Sequence, residues 1–242
     1  MTRGPWHRRD FLKLTGAVGL TLGTILRFPA RAAAQQAIVR VECPILTYHE
    51  VASRATFGRQ IARYLDSGYQ PISLAQLRGV LGGEDVPLWG KPFVITFDDG
   101  LKSQKDNALP VLVERQIPAV FAVMADWQGD RRHSYMSNDD FRRLVGDYEL
   151  EVISHTFHHT NLVRERARNL GSWQAQIVGS RYRLEEIVGN GYEVEAFCFP
   201  FGAYDGPTLD LVGQHYGLAL STRAGTTQRS DERLLLRRTS MS

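Results

Sequence analysis

Short apolar runs alternate with longer amphipathic segments along the chain from Cys43 onward. The apolar runs are bounded by Gly, Pro or charged residues, which is typical of buried strands. The amphipathic segments have apolar residues four apart, as Phe57, Ile61 and Leu65 are, which is typical of helices. The predicted strands are "CPILTYH", "YQPISL", "PFVITF", "PAVFAVM", "YELEVISH", "VEAFCFP", "LALST" and, as a short eighth, "RLLLRRT".

Capping and breaking residues set the ends of the predicted helices. Ser73 and Ser137 are suitable N-caps, and acidic residues follow Ser137 in the first turn. Pro110 predicts a kink or a late start of its helix. The predicted helices are "TFGRQIARYLDSG", "SLAQLRGVLGG", "KSQKDNALPVLVERQ", "SNDDFRRLVG", "SWQAQIVGSRYRLEEIVG" and "GPTLDLVGQHYG".

The order of these elements predicts the fold class. Strands separated by single helices form right-handed βαβ units and a parallel sheet. Seven or eight such units favour an irregular, TIM-like (β/α)7-8 barrel, with an open doubly wound sheet as the alternative.

The first 34 residues have a different pattern, which is typical of a secretory signal. Arg8 and Arg9 precede a moderately apolar stretch, and small residues with Ala-x-Ala spacing follow at residues 30–34. The paired arginines before Phe-Leu-Lys resemble a twin-arginine export signal, and an uncleaved helix or membrane anchor is the alternative. The predicted domains are therefore a signal peptide at 1–34 and one catalytic domain at 35–242.

Removal of the signal changes the charge of the chain. Six of the 29 basic and one of the 26 acidic residues lie in it, which leaves 23 basic and 25 acidic residues, a net charge of −2. We therefore expect no nucleic-acid partner. No later segment is apolar enough to span a membrane. An oxidising destination permits a disulfide, but we expect Cys43 and Cys198 to be buried thiols, since they lie on separate strands.

Polar residues gather at the carboxyl ends of the predicted strands, where either architecture would place its site. They are Tyr48-His49, Asp98-Asp99, Met124-Ala125-Asp126, Ser154-His155, Pro200-Phe201-Gly202 and Thr222-Arg223. Trp89, Trp127 and Tyr135 lie in predicted loops, where they either stack on sugar rings or pack against the barrel.

The pair Asp98-Asp99 raises an electrostatic question. Adjacent buried carboxylates repel and raise one another's pKa unless a cation intervenes. A divalent metal bound by one Asp would resolve the repulsion and leave the other free to take a proton. An ordinary turn at Asp-Asp-Gly is the alternative.

The histidines of "SHTFHHTNL" favour the metal. His155 and His159 would share one side of a helical turn, and His155 and His158 are a possible pair too. One carboxylate and two imidazoles suit Zn²⁺, with Co²⁺, Ni²⁺ or Mn²⁺ as other candidates, and leave coordination positions open for catalysis. This predicts hydrolysis of an amide or an ester.

"TFDDG" and "SHTFHH" resemble the first two motifs of the polysaccharide deacetylase family, the carbohydrate esterases with a NodB-like domain. The resemblance implies that Asp98 is the catalytic base and that Asp99, His155 and His159 bind the metal. "FCFPFG" resembles the third motif, in which Pro200, Phe201 and Gly202 would line the substrate groove. The backbone N–H of Phe201 would help to hold the oxyanion.

The sequence departs from the family pattern at two points. Cys198 replaces the Arg that orients the base, and Arg238 is the candidate substitute, with Arg237 and Arg223 as rivals. The late Leu-x-His motif that carries the general acid is missing, because no histidine follows His215. "CPILTYHEV" resembles the opening of poly-N-acetylglucosamine deacetylases, which implies that His49 is the acid; a structural histidine is the alternative.

These observations predict an exported, metal-dependent hydrolase of carbon–nitrogen bonds other than peptide bonds. Its substrate would be an acetylated polysaccharide of N-acetylhexosamine, and its location periplasmic or extracellular. An O-deacetylase, another C–N hydrolase and an inactive glycan-binding module are the alternatives.

The signal predicts the export route. Replacement of both Arg8 and Arg9 by Lys should block twin-arginine transport and leave precursor in the cytoplasm, as measured by cell fractionation. Undiminished export of this variant would show another route.

Overall fold

The computed structural model describes residues 42–126 and 135–241. The strands there are β1 Glu42–Cys43, β2 Ile45–Tyr48, β3 Tyr69–Pro71, β4 Lys91–Asp99, β5 Val120–Val123, β6 Glu151–Ser154, β7 Ala196–Cys198, β8 Leu218–Ala224, β9 Thr227–Gln228 and β10 Leu236–Ser240. The α-helices are α1 Arg54–Asp66, α2 Leu74–Gly82, α3 Leu109–Arg115, α4 Asn138–Gly146, α5 Leu162–Arg168, α6 Leu170–Gln174, α7 Ser180–Val188 and α8 Gly206–His215. Two π-helical turns, Gln104–Ala108 and Ala175–Gly179, precede α3 and α7.

Seven parallel strands close into a barrel. β2 pairs with β4 through Leu46 and Ile95, and with β10 through Leu46 and Thr239. The ring continues from β10 through β8, β7, β6 and β5 to β4. β3 pairs with the first part of β4, and β1 pairs with β9 in an antiparallel ribbon. The predicted barrel is confirmed, and the open sheet is wrong because both edges of β2 are paired.

Side chains on β4 alternate between two apolar clusters, as a strand requires. Ile95 and Phe97 pack in the cluster that includes most helices, and Val94 packs in a cluster drawn mainly from the strands. Phe97 stacks on Phe121 with ring centroids 4.8 Å apart. Even-numbered residues of β4 therefore face the barrel interior, and Asp98 continues that series.

The predicted helix starts are confirmed where the sequence supplies a cap. Ser73 and Ser137 each accept a hydrogen bond from the backbone N–H of the third residue of the helix, and each forms a capping box. Helix α5 was not predicted; it begins after Asn161, whose side chain accepts a hydrogen bond from Arg164 N–H.

Pro110 changes the form of its helix and does not delay its start, because residues 102–115 are helical throughout and the expected late start is wrong. The preceding π-helical turn lets the Leu109 N–H donate to the Gln104 carbonyl, five residues back. In a continuous α-helix the Pro110 ring would clash with the Asp106 carbonyl. Proline also has no N–H that could donate to this carbonyl. The wider turn relieves this clash, and α3 begins at Leu109.

The two thiols are free and buried, as predicted. Burial raises the pKa of Cys43 to about 12, so this thiol is inert near neutral pH. Within residues 42–126 and 135–241, no helix is both long and apolar enough to cross a bilayer. The predicted signal, with Arg8 and Arg9, lies outside the described residues, as does Trp127.

Candidate active site

The two adjacent carboxylates point to different neighbours at the end of β4. Asp98 keeps the strand geometry and is buried on the inner face. Asp99 and Gly100 both have positive φ, 74° and 73°, so the backbone turns sharply after Asp98. A regular strand would have placed the two carboxylates on opposite faces of the sheet. The turn after Asp98 separates them further, because the backbone of Asp99 leaves the strand geometry.

Asp98 is held by an arginine from the last strand. Nη1 and Nη2 of Arg238 donate to the two carboxylate oxygens at 2.7 and 2.8 Å. Arg238 Nε donates to the Ser221 carbonyl at 2.8 Å, which fixes the plane of the guanidinium. Burial raises the pKa of Asp98, but Arg238, with smaller contributions from His155 and His49, outweighs burial and lowers the pKa to about 2. Asp98 is therefore ionised at neutral pH.

Strand alternation explains why Arg238 reaches Asp98 while its rivals do not. Arg238 is buried on β10, and its neighbour Arg237 points outward to Asp231, with Nε and Oδ1 3.4 Å apart. Arg223 is exposed and stacks over the Tyr204 ring.

Asp99 faces two imidazoles. Its Oδ1 lies 3.5 Å from His155 Nε2 and 3.4 Å from His159 Nε2. His155 Nδ1 lies 2.8 Å from the Cys198 carbonyl, which can only accept, so Nδ1 carries a proton and Nε2 is the ring nitrogen that faces Asp99. Asp99 Oδ1 is buried and has no hydrogen-bond partner.

These three residues fit a divalent metal. Their ligand atoms lie within 4.8 Å of one another. Ligand bonds of about 2.0–2.1 Å in a tetrahedral zinc site separate the ligand atoms by about 3.4 Å, close to both Asp99–His distances. A cation between them would also satisfy the orphaned Asp99 oxygen. Asp98, His155 and Cys198 form a second such group, but Arg238 already occupies both Asp98 oxygens.

The segment after His155 is an irregular turn, so the helical turn expected from the spacing is wrong. Thr156 and His159 have positive φ, 68° and 54°, which a helix cannot contain. The turn nevertheless brings His155 and His159 together, with ring centroids 4.9 Å apart. His158 points away, with Nδ1 3.2 Å from Gln176 Nε2 and Nε2 3.6 Å from Asp126 Oδ2.

His49 approaches Asp98 from the end of β2. Its Nε2 lies 3.9 Å from Asp98 Oδ2, and about half of its side chain is exposed. The Cys198 thiol donates to the same oxygen at 3.7 Å. His49 therefore lies between the buried carboxylate and solvent, where a group that exchanges protons with a substrate must lie.

Residues Pro200–Gly202 form a tight turn beside the imidazoles. Phe201 has a φ of 57°, is 64% exposed, and its ring centroid lies 4.4 Å from that of His159. Gly202 has a φ of 62°, and a Cβ there would lie 1.9 Å from Thr222 Oγ1. Only glycine fits this position, so the turn is fixed.

The predicted loop aromatics have different locations. Trp89 is 72% exposed but precedes the amino end of β4, at the opposite end of the strand from Asp98. The expectation that Trp89 stacks on a sugar ring at this site is therefore wrong. Tyr135 pairs with Leu101, just beyond Asp99, and so lies near the rim.

Sequence reasoning missed two buried glutamines. Gln104 donates to the carbonyls of His49 and Asp98, and Gln176 accepts from the N–H groups of Phe157 and His158. A glutamine in an amphipathic helix gives no signal of such contacts.

Comparison with known proteins places the chain in a family. The polysaccharide deacetylase profile matches residues 86–218, more than half of the chain. This range includes the Asp98-Asp99 pair, His155, His158 and His159, and the Pro200–Gly202 turn, but not His49.

One relative is the poly-β-1,6-N-acetyl-D-glucosamine N-deacetylase of Escherichia coli K12, with 42% identity over 113 residues. The match covers 41% of this chain and 16% of that protein. The chain therefore corresponds to less than a fifth of that relative's length.

Two solved structures share the fold. The Streptococcus pyogenes deacetylase PplD superposes with a TM-score of 0.73 at 21% identity, covering 84% of this chain and 93% of PplD. IcaB from Ammonifex degensii superposes with a TM-score of 0.72 at 24% identity, covering 83% and 92%. Together, the profile match, the barrel and the arrangement of carboxylates and imidazoles show that this chain belongs to the polysaccharide deacetylase family.

Proposed function

We propose that this chain removes N-acetyl groups from an N-acetylhexosamine polysaccharide by metal-assisted hydrolysis. One observation carries the proposal: Asp99 faces His155 and His159 at 3.4–3.5 Å, while its neighbour Asp98 is turned away to Arg238. The pair thus separates a metal ligand from a base that does not bind the metal, which is the division of roles that hydrolysis needs.

Asp99, His155 and His159 would hold the metal, with Zn²⁺ as the first candidate and Co²⁺, Ni²⁺ or Mn²⁺ as others. When bound, the metal would polarise the acetyl carbonyl and lower the pKa of water. His155 is oriented by the Cys198 carbonyl, and His159 is packed against the Phe201 ring.

Asp98 would act as the general base and take a proton from the attacking water. Arg238 would be a positioning residue, because its two hydrogen bonds fix the carboxylate plane and favour the ionised form. The Phe201 N–H would donate to the developing oxyanion, and Pro200 and Gly202 would hold the turn that presents this N–H.

His49 would act as the general acid and protonate the departing amine. It is within reach of Asp98, so a proton taken from water can pass through the site towards the leaving nitrogen. Amines are poor leaving groups unless they are protonated, so an amide substrate depends on such an acid.

The E. coli relative, named for an N-deacetylase activity, supports an N-acetyl over an O-acetyl substrate. An O-deacetylase or another C–N hydrolase on the same scaffold remains the second candidate. The proposed ligand set and base are all present, which argues against an inactive glycan-binding module. The arginine pair of residues 1–34 supports export to a periplasmic or extracellular polysaccharide.

The activity prediction concerns Asp98. The metal-loaded protein should release acetate from N-acetylglucosamine oligomers, and Asp98→Asn should lower this turnover about 10²–10⁴-fold, because one general base is removed. Zn²⁺ affinity should be retained. Acetate release on a panel of N- and O-acetylated glycans, with metal analysis, tests both statements.

Asp126→Asn is the matched control. Asp126 is an exposed carboxylate of the same rim, and its Oδ2 lies 3.6 Å from Nε2 of His158, which is not a proposed ligand. It should keep wild-type turnover. A fully active Asp98→Asn enzyme would overturn the mechanism, and release from O-acetylated glycans alone would favour the second candidate.

The metal prediction separates the three histidines. Asp99→Ala, His155→Ala and His159→Ala should each lose stoichiometric Zn²⁺ while the barrel stays folded, because each removes one of three ligands. His158→Ala is the control and should bind Zn²⁺ nearly normally. Metal content after dialysis and circular dichroism measure these effects. If His158 proved essential and His159 dispensable, the ligand assignment would be wrong.

The positioning prediction concerns Arg238. Arg238→Lys should lower turnover by about 10²-fold, since a lysine cannot make the two parallel bonds that orient Asp98. Zn²⁺ affinity should change little. Arg237→Lys is the matched control on the outer face of the same strand and should have no effect. Wild-type turnover of Arg238→Lys would remove Arg238 from the mechanism.

A further inference from the structure

Both π-helical turns carry a buried glutamine at or next to their first residue, and each glutamine contacts a loop that bears functional histidines. Gln104 begins the first turn, and Gln176 is the second residue of the other. Gln104 is fully buried and Gln176 nearly so. Such turns are rare and concentrate at functional sites.

We propose that Gln104 and Gln176 are positioning residues with separate tasks: Gln104 sets the proton donor His49, and Gln176 sets the metal-binding loop. The proposal rests on the proposed function, because it assumes that His49 is the acid and that His155 and His159 bind metal.

Gln104 joins the ends of two neighbouring strands. Its Nε2 donates to the His49 carbonyl at 2.9 Å and to the Asp98 carbonyl at 2.5 Å. Both partners are carbonyl oxygens, so only the amide nitrogen can face them. The two hydrogens of one amide group therefore fix the backbone of the acid relative to the backbone of the base.

Neighbouring side chains of the same helix extend this contact. Asn107 Nδ2 donates to the Val51 carbonyl at 2.7 Å, and Ser103 Oγ accepts from the Val51 N–H at 3.3 Å. The loop between β2 and α1 is thus held by side chains that follow the Asp98-Asp99 pair in sequence. His49 itself is half exposed, so the buried Val51 and these hydrogen bonds are what hold its loop.

Gln176 holds its loop through the opposite chemistry. Its Oε1 accepts from the Phe157 N–H at 3.0 Å and the His158 N–H at 3.3 Å. These N–H groups lie between His155 and His159, in the turn whose left-handed residues bring the two imidazoles together. Gly179 allows the helix to come close, because a Cβ there would lie 2.9 Å from Phe157 Cε2.

The difference between donor and acceptor gives a sharp test. Glutamate has nearly the shape of glutamine but only accepts hydrogen bonds when ionised. Gln176→Glu keeps the acceptor for both N–H groups and replaces only the amide nitrogen that faces His158 Nδ1, which is not a proposed ligand atom. Gln104→Glu, in contrast, sets a carboxylate against two carbonyl oxygens. Methionine, similar in shape and apolar, removes the contact at either position.

The experiment compares these variants with wild type and with His49→Ala. Three quantities are measured on the purified, folded full chain: the Zn²⁺ dissociation constant by titration, turnover of an N-acetylglucosamine oligomer, and turnover of p-nitrophenyl acetate. The aryl ester has a leaving group that needs no proton, so the ratio of the two turnovers reports on the acid. Turnover is measured at saturating Zn²⁺.

For Gln104→Met we expect the result of a displaced acid. Amide turnover should fall about 10- to 100-fold, while ester turnover and the Zn²⁺ dissociation constant stay within about threefold of wild type. His49→Ala should show the same loss of amide turnover relative to ester turnover. Asn107→Ala, which removes a partly exposed contact of the same loop, should show a smaller loss of the same kind.

For Gln176→Met we expect the result of a misplaced ligand loop. The Zn²⁺ dissociation constant should rise about 10- to 100-fold, as is typical when the partner of a ligand is removed. At saturating Zn²⁺ the ratio of amide to ester turnover should stay within about threefold of wild type. Gln176→Glu should restore the wild-type Zn²⁺ affinity.

Equal changes in all three quantities for both methionine variants would overturn the proposal, because general loosening of the rim would produce them. If Gln104→Met does not fold, Asn107→Ala tests whether this helix positions His49. An unchanged ratio of amide to ester turnover in Asn107→Ala then refutes the proposed role of Gln104. If Gln176→Met does not fold, Gln176→Glu tests whether the acceptor at this position holds the metal-binding loop. A tenfold loss of Zn²⁺ affinity in Gln176→Glu then refutes the proposed role of Gln176.

Failure of the proposed function gives a different result. If His49→Ala lowers amide and ester turnover equally, His49 is not the acid, and the Gln104 half falls with that assignment. If Asp99→Ala keeps Zn²⁺, the metal site is wrong, and the Gln176 half falls with it. Wild-type values for a glutamine variant, beside the expected His49→Ala and Asp99→Ala results, refute the positioning role alone.

Discussion

The buried ion pair of Asp98 and Arg238 is the interaction on which the site depends. It joins β4 to β10, strands that are not neighbours in the ring, because β2 lies between them. A buried pair of this kind contributes little net stability, but removal of one partner leaves an uncompensated charge at a cost of about 3–5 kcal/mol. The pair therefore explains why a carboxylate can end a hydrophobic strand in the barrel. It also fixes Asp98 so firmly that Asp99, one residue later, has to serve a different partner.

Barrel closure is what allows an arginine so late in the chain to take part. The third motif of the sequence offers Cys198 where the family has its arginine, and the Cys198 thiol still contacts Asp98 at 3.7 Å. Arg238 reaches the same carboxylate from another strand of the ring, since β10 pairs with β2 and β8 and so faces the same interior. In this chain the guanidinium that holds Asp98 therefore comes from the last strand of the barrel and not from the third motif.

The sequence predicted the barrel because buried strands and amphipathic helices leave strong periodic signals, and it predicted the rim because strand ends coincide with polar residues. The spacing of His155, His158 and His159 left the ligand pair open, and only the family resemblance chose His155 and His159. Spacing assumes a regular helix, whereas the turn is irregular at Thr156 and His159. The sequence indicated Arg238 as the partner of Asp98 but left Arg237 as a rival, because a one-residue shift in strand register exchanges the two faces. The sequence could not predict the contacts of Gln104 and Gln176, since these depend on how two helices approach two loops.

Backbone strain at the site has a structural cause in these same contacts. Among the described residues, seven other than glycine have positive φ, and four of them, Asp99, Thr156, His159 and Phe201, belong to the rim that contains the carboxylates and imidazoles. Such conformations cost of order 1–3 kcal/mol each and persist only where the surroundings determine them. For the turn between His155 and His159, these surroundings are the barrel strands on one side and the buried Gln176 on the other. Gln176 Oε1 accepts hydrogen bonds from the N–H groups of Phe157 and His158. The hydrophobic barrel thus stabilises a rim that its own sequence would not favour, and the strained turns are the ones that aim the polar groups at a common point.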